Sequence, residues 1–187
     1  MFTSLPNLLT WLRVLAIPLL VGVFYLPVSA PARDIIATVL FVGAAITDWL
    51  DGWLARKMGQ TSAFGAFLDP VADKLIVCTA LVVLVHLDRV DALVAAIIIG
   101  REITISALRE WMAQMGASAS VAVHSIGKLK TISQLVAIPM LLFHGALFGI
   151  LDTRIVGTWL IYLASVLTVW SMAYYLRRAW PYLQGTK

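Results

Sequence analysis

Apolar residues in this chain come in long unbroken runs rather than in alternation with polar ones. Six such runs can be drawn, at about residues 5–27, 34–57, 69–87, 91–113, 124–149 and 154–177. Each is long enough, at ~1.5 Å per residue, to cross ~30 Å of hydrocarbon as a helix. A bilayer offers no partner to an exposed backbone N–H or C=O, so continuous apolar runs of this length predict helices and not open strands. The pattern therefore predicts an all-α integral membrane protein with six transmembrane helices. No linker-like or repeated stretch divides it, and residues 1–187 are read as one domain.

Composition agrees with the pattern. Of 187 residues, 61% are hydrophobic and 13% charged, and the mean hydropathy of +0.92 excludes an ordinary soluble domain. The net charge of +4 could suggest nucleic acid. In so apolar a chain it points instead to anionic lipid headgroups and phosphate-bearing ligands at the membrane surface, with no nucleic-acid partner. The single cysteine, Cys78, lies in an apolar run and reads as packing. No basic residue precedes Arg13, so the first run is expected to be a retained span rather than a cleaved signal.

Basic residues set the orientation. With the N-terminus in the cytoplasm, Arg56, Lys57, Lys74, Arg109, Lys128, Lys130, Arg177, Arg178 and Lys187 fall on the cytoplasmic side, and Arg33, Arg89 and Arg154 on the other. The positive-inside bias therefore places both termini in the cytoplasm.

Against this background the window from Asp48 to Asp73 stands out. The chain has ten acidic residues, and Asp48, Asp51, Asp69 and Asp73 fall within it. Asp48 and Asp51 are three apart on the second predicted helix; Asp69 and Asp73 are four apart on the third. Each pair thus shares one helical face. Helical rise puts them roughly 10 Å inside the cytoplasmic boundary. A carboxylate in that setting costs about 2.5–3.5 kcal/mol, and mutual repulsion adds to it, so a cation must offset the charge. Oxygen-only ligands without His or Cys suit hard divalent ions, magnesium or manganese, and four carboxylates allow two of them. Gly52, Ala55 and Gly65 either remove bulk where a ligand would approach the backbone or serve helix packing and, at Gly65, a turn of the loop, and Arg56 supplies a guanidinium suited to phosphate.

The pattern D-x2-D-G-x2-A-R-x8-G-x3-D-x3-D is met at Asp48, Asp51, Gly52, Ala55, Arg56, Gly65, Asp69 and Asp73 without departure. It resembles the signature of the CDP-alcohol phosphatidyltransferases. That resemblance implies a six-span fold, a homodimer, and a site in which the four aspartates hold two divalent cations. It also implies that Asp73 acts as general base on an acceptor hydroxyl, which attacks the β-phosphorus of a CDP-linked lipid and displaces CMP.

The acceptor must be read elsewhere. Asn7, Thr10 and Arg13 form a polar strip on the first helix: either part of the donor-binding surface, with Asn7 and Thr10 on CDP-diacylglycerol, or a helix cap plus a snorkelling arginine. On the fourth helix Arg101, Glu102 and Arg109 stand in an apolar setting, and Glu102 either orients Arg109 or forms a structural ion pair with it. Lys128 and Lys130 open the fifth helix, where they either mark its cytoplasmic end or join Arg109 in a cationic pocket for a dianionic phosphate. The segments PNLLTWLR, GREI, ALREWM and GKLKT resemble bacterial members of the same family that use sn-glycerol 3-phosphate and form phosphatidylglycerophosphate. The resemblance implies an enzyme of the bacterial cytoplasmic (inner) membrane with its site facing the cytoplasm. Three rivals are the same chemistry on phosphatidylglycerol or inositol phosphate, a divalent-cation transporter, and a noncatalytic membrane scaffold, which would account for the hydrophobicity but not for the aspartates. The transporter needs a second acidic layer, whereas Asp34, Asp88, Asp91 and Asp152 belong to the far loops.

Overall fold

The computed structural model describes residues 5–58, 63–115 and 125–184, apart from the side chains of residues 5–9, 49, 51–58, 63–67, 125–128 and 183. Six helices account for nearly all of it: α1 (Leu5–Gly22), α2 (Ala30–Met58), α3 (Ala63–His86), α4 (Ala92–Gln114), α5 (Ser125–Phe143) and α6 (Thr153–Leu183). Every predicted span is a helix. Two of them, Ala30–Asp48 and Thr153–Tyr182, are long and apolar enough to cross a membrane by length and composition.

Three boundaries depart furthest from expectation. α3 starts at Ala63, so Asp69 and Asp73 lie inside the helix rather than at its first turn. α5 stops at Phe143, and a short antiparallel hairpin of β1 (Ala146–Leu147) and β2 (Leu151–Asp152) replaces its predicted end. The apolar run there continues through a turn, with Phe148 and Gly149 at φ of 52° and 71°; hydropathy alone does not register such a turn. α6 continues to Leu183, beyond its predicted end.

Packing follows small residues and aliphatic ridges. α1 lies against α2 and α3, α5 runs along α6 and touches α2, and α6 also contacts α4. The main core joins Leu20, Ala37, Phe41, Leu81, Leu84, Ile98, Ile138, Leu142 and Ile161, while a smaller one joins Ile105 and Met112 of α4 to Tyr175 and Ala179 of α6. Large apolar side chains such as Leu15, Val39, Val82, Ile103, Ile132 and Val166 face outward. Apolar faces of that extent on every helix, around an interior that holds Arg13 and Lys130, suit hydrocarbon and not water as the surrounding solvent. Cys78 is half-buried.

One end of the bundle is pinned by a single arginine. Arg89, in the α3–α4 turn, donates from Nη2 to both oxygens of Asp34 at 2.9 Å. Its Nη1 donates to the carbonyls of Leu141 and Leu142, at 3.2 and 2.8 Å, satisfying acceptors that the end of α5 leaves over. α4 and α6 start at the same end, capped by Asp91 and Asp152. Hydrogen bonds from the Arg154 side chain hold the Asp152 carboxyl below the usual carboxylate range. Its capping contribution is therefore present above the ordinary carboxylate pKa and lost as pH falls through the lowered value.

α5 and α6 touch closely at Gly157. A Cβ there would lie 2.8 Å from Leu141 Cγ and 3.2 Å from Met140 Cβ. Gly157→Ala should therefore push the two helices apart and cost about 1–3 kcal/mol, read as a lower unfolding midpoint in detergent. Gly43→Ala, whose Cβ meets nothing within 4 Å, should match or slightly exceed the native midpoint. Equal midpoints for the two variants would remove the close-contact account.

Candidate active site

A second group of polar residues gathers at the other end of the bundle, where α1 and α3 start and α2 ends. On α1, Thr10 and Arg13 are three apart and share a face. Thr10 donates from Oγ1 to Asp69 Oδ1 at 2.5 Å. Arg13 donates from Nη1 to Asp73, and the same nitrogen is 3.0 Å from Asp48 Oδ1. The two contacts to α3 rise together in residue number, so α1 and α3 run in the same direction and their polar faces meet in register. Asp48 reaches Arg13 from α2. α1 thus ties together both halves of the aspartate window.

Arg13 is only 1% exposed, which overturns the reading of a snorkelling arginine. A buried guanidinium needs its charge met, and here two carboxylates meet it. Lys74, next to Asp73 in the chain, brings a further positive charge to the same place.

A cavity of about 760 Å³ opens beside this cluster. Asp48 and Asp73 stand on its wall with Arg13 and Lys74; Arg101, Glu102, Arg109 and Glu110 of α4, and Lys130 and Gln134 of α5, complete the polar lining. Residues predicted for an acceptor phosphate from distant parts of the chain therefore share one chamber with two of the aspartates.

The partners of Glu102 differ from both expected alternatives. Glu102 binds Lys130, which is 2% exposed, and stands 3.4 Å from Arg101 Nη1. Arg109 lines the same cavity but is not its partner. Seven residues along α4 put Glu102 and Arg109 on nearly the same face, yet about 10 Å apart along the axis, whereas α5 brings Lys130 directly opposite Glu102. Arg101 Nη2 also reaches Ser171 Oγ at 3.4 Å, and its guanidinium sits 5.9 Å from the centre of the Tyr175 ring.

Among the described residues no group of three His, Cys, Asp or Glu is close enough together to hold a metal ion. Asp51 lies outside the described side chains, as do Asn7, Gly52, Ala55, Arg56, Gly65 and Lys128. The donor set still fits hard divalent cations, being all oxygen.

Sequence reasoning missed several of the lining residues, Arg13, Lys74, Gln134 and Tyr175 among them. Arg13 was visible as the third member of a polar strip, but its contact with Asp48 and Asp73 depends on how α1 packs. Lys74 adjoins Asp73 and could have been drawn in by adjacency. Gln134 follows Lys130 by one turn, so its face was predictable. Tyr175 had no signal, because the docking of α6 on α4 alone brings it to the cavity.

Comparison with known proteins settles the family. The sequence model described as CDP-alcohol phosphatidyltransferase matches residues 3–170. The chain belongs to this family. Its similar relatives include the CDP-diacylglycerol–glycerol-3-phosphate 3-phosphatidyltransferases of Shigella flexneri serotype 5b and Escherichia coli, each 49% identical over 178 residues, or 94% of both chains. That of Salmonella choleraesuis is 49% identical over 179 residues with the same coverage. Membership of this family, with the apolar helices, makes the chain a membrane protein.

Proposed function

We propose that this protein transfers the phosphatidyl group of CDP-diacylglycerol to sn-glycerol 3-phosphate, releasing CMP and forming phosphatidylglycerophosphate. The observation that carries the reading is the shared cavity, in which Asp48 and Asp73 face the cations Arg101, Arg109 and Lys130. The names of the similar relatives describe the same reaction.

Each half of the cavity has its own task. Asp48, Asp51, Asp69 and Asp73 hold two divalent cations, magnesium or manganese. When bound, those ions offset the charge of the donor's pyrophosphate. Asn7, Thr10, Gly52, Ala55, Arg56 and Gly65 line the donor's path along α1, α2 and α3. Arg101, Arg109, Lys128 and Lys130 receive the acceptor's phosphate, and Glu102 positions Lys130 and Arg101 for it. Asp73 takes the proton from the acceptor's primary hydroxyl. The resulting oxygen bonds to the β-phosphorus, the bond to the bridging oxygen breaks, and CMP leaves. Positioning and charge compensation supply most of the rate, as phosphoryl transfer generally requires.

The protein works as one domain in a bacterial cytoplasmic membrane, with both termini and the cavity on the cytoplasmic side. There the donor's chains stay in hydrocarbon among the membrane lipids, and two copies pair as a homodimer. The purified protein with magnesium or manganese should release CMP only when both CDP-diacylglycerol and glycerol 3-phosphate are present, with radiolabel from the acceptor entering the lipid. Equal use of a neutral alcohol would refute the cationic pocket. Preference for phosphatidylglycerol or inositol phosphate would reassign the acceptor. Cation flux into liposomes without any CDP-lipid would favour a transporter.

A further inference from the structure

We propose that Gln134 recognises the secondary hydroxyl of the acceptor, an inference that rests on glycerol 3-phosphate being that acceptor. Gln134 is 5% exposed and lines the catalytic cavity one helical turn beyond Lys130, on the same face of α5. Its Oε1 is buried without a hydrogen-bond partner among the described residues. Buried amide oxygens are nearly always paired, and one that is unpaired in the wall of a substrate cavity points to a donor brought by the ligand.

The rest of the lining says which donor. Lys130, Arg101 and Arg109 carry only hydrogen-bond donors, so they suit a phosphate and cannot accept from a hydroxyl. Glu102 is engaged by Lys130 and Arg101, and Asp48 and Asp73 by Arg13; of the other acceptors on the wall, Glu110 and Thr131 are exposed and Ser106 is half-buried, so water reaches them. Glycerol 3-phosphate carries its phosphate at one end, the reacting hydroxyl at the other and a second hydroxyl between them. That middle group needs an acceptor set between the cationic and acidic walls. A neutral amide provides one without competing for Lys130, as a carboxylate would.

The test compares two acceptors on the purified full chain with CDP-diacylglycerol and magnesium. One is sn-glycerol 3-phosphate; the other is 3-hydroxypropyl phosphate, which keeps the phosphate and the reacting hydroxyl but lacks the middle one. We expect kcat/KM in the native protein to favour glycerol 3-phosphate by about tenfold or more, because the analogue leaves the buried oxygen unpaired. In Gln134→Met, of similar size and shape but without the amide, the ratio should fall to within about threefold, mainly through a higher KM for glycerol 3-phosphate. A variant that only loosens packing depresses both acceptors together and keeps the ratio, and that result would overturn the proposal. A native protein that uses neither acceptor would instead overturn the acceptor assignment itself, before Gln134 is at issue.

Discussion

Asp73→Asn should lower turnover by about 10²–10⁴-fold, the usual contribution of a positioned general base, while CDP-diacylglycerol still binds. The substitution keeps the size of the side chain and an oxygen that can accept from Arg13, so the α1–α3 contact that Arg13 makes with Asp73 survives. What is lost is the carboxylate's charge and, with it, the capacity to take a proton; Asp48 still meets the charge of Arg13. Donor binding, followed by titration with CDP-diacylglycerol in the presence of magnesium, separates this from a failure of the cation site. Asp48→Asn, on the opposite wall of the Arg13 contact, should weaken donor binding and turnover together. Full activity in Asp73→Asn would remove the general-base assignment, and equal loss of binding and turnover would reduce Asp73 to a cation ligand.

The second large effect concerns the buried pair of Lys130 and Glu102. Lys130→Met leaves Glu102 with Arg101 alone, at 3.4 Å. Stranding one member of a buried pair generally costs about 3–5 kcal/mol. Glu102 keeps a second cation and some solvent contact, which puts the expectation near the lower bound, about 3 kcal/mol. Removing both charges in Lys130→Met/Glu102→Met should recover most of the lost stability, since a well-packed apolar pair is often no worse than an ion pair. Activity should not recover with it. The cation proposed to meet the acceptor's phosphate is gone from the double variant, so kcat/KM for glycerol 3-phosphate should stay about 10²-fold or more below the native value. Thermal midpoints in detergent and steady-state rates on the same preparations make the comparison. Recovery of both properties would leave Lys130 with a structural role only.

Much of the candidate site could be read from spacing. Asp48 with Asp51, and Asp69 with Asp73, are forced onto shared faces by helical periodicity, and hydrocarbon makes such acids too costly to leave without cations. The same reasoning found the helices, since runs of that length have no other way to satisfy their backbone in a bilayer. It failed at the α5–α6 connection, where residues 144–149 are apolar enough to pass for helix but turn through left-handed backbone at His144, Phe148 and Gly149. Hydropathy records solvent, and conformation at single residues escapes it.

Helix periodicity and the cost of charge in hydrocarbon are local or one-dimensional properties. By itself, therefore, the sequence determined six helices, an acidic window whose oxygen ligands suit hard cations, and a set of distant basic residues in need of a partner. Which charges meet which was decided only by packing. Arg13 crosses to Asp48 and Asp73 because α1 runs beside α3 and against α2. Glu102 takes Lys130 instead of Arg109 because α5 stands nearer to it than its own helix's next two turns. Tyr175 and Gln134 reach the cavity because α6 and α5 close it. Each of these is a pairing between helices, and such pairings are fixed by side-chain shape and neutralisation across an interface that no single stretch of chain contains.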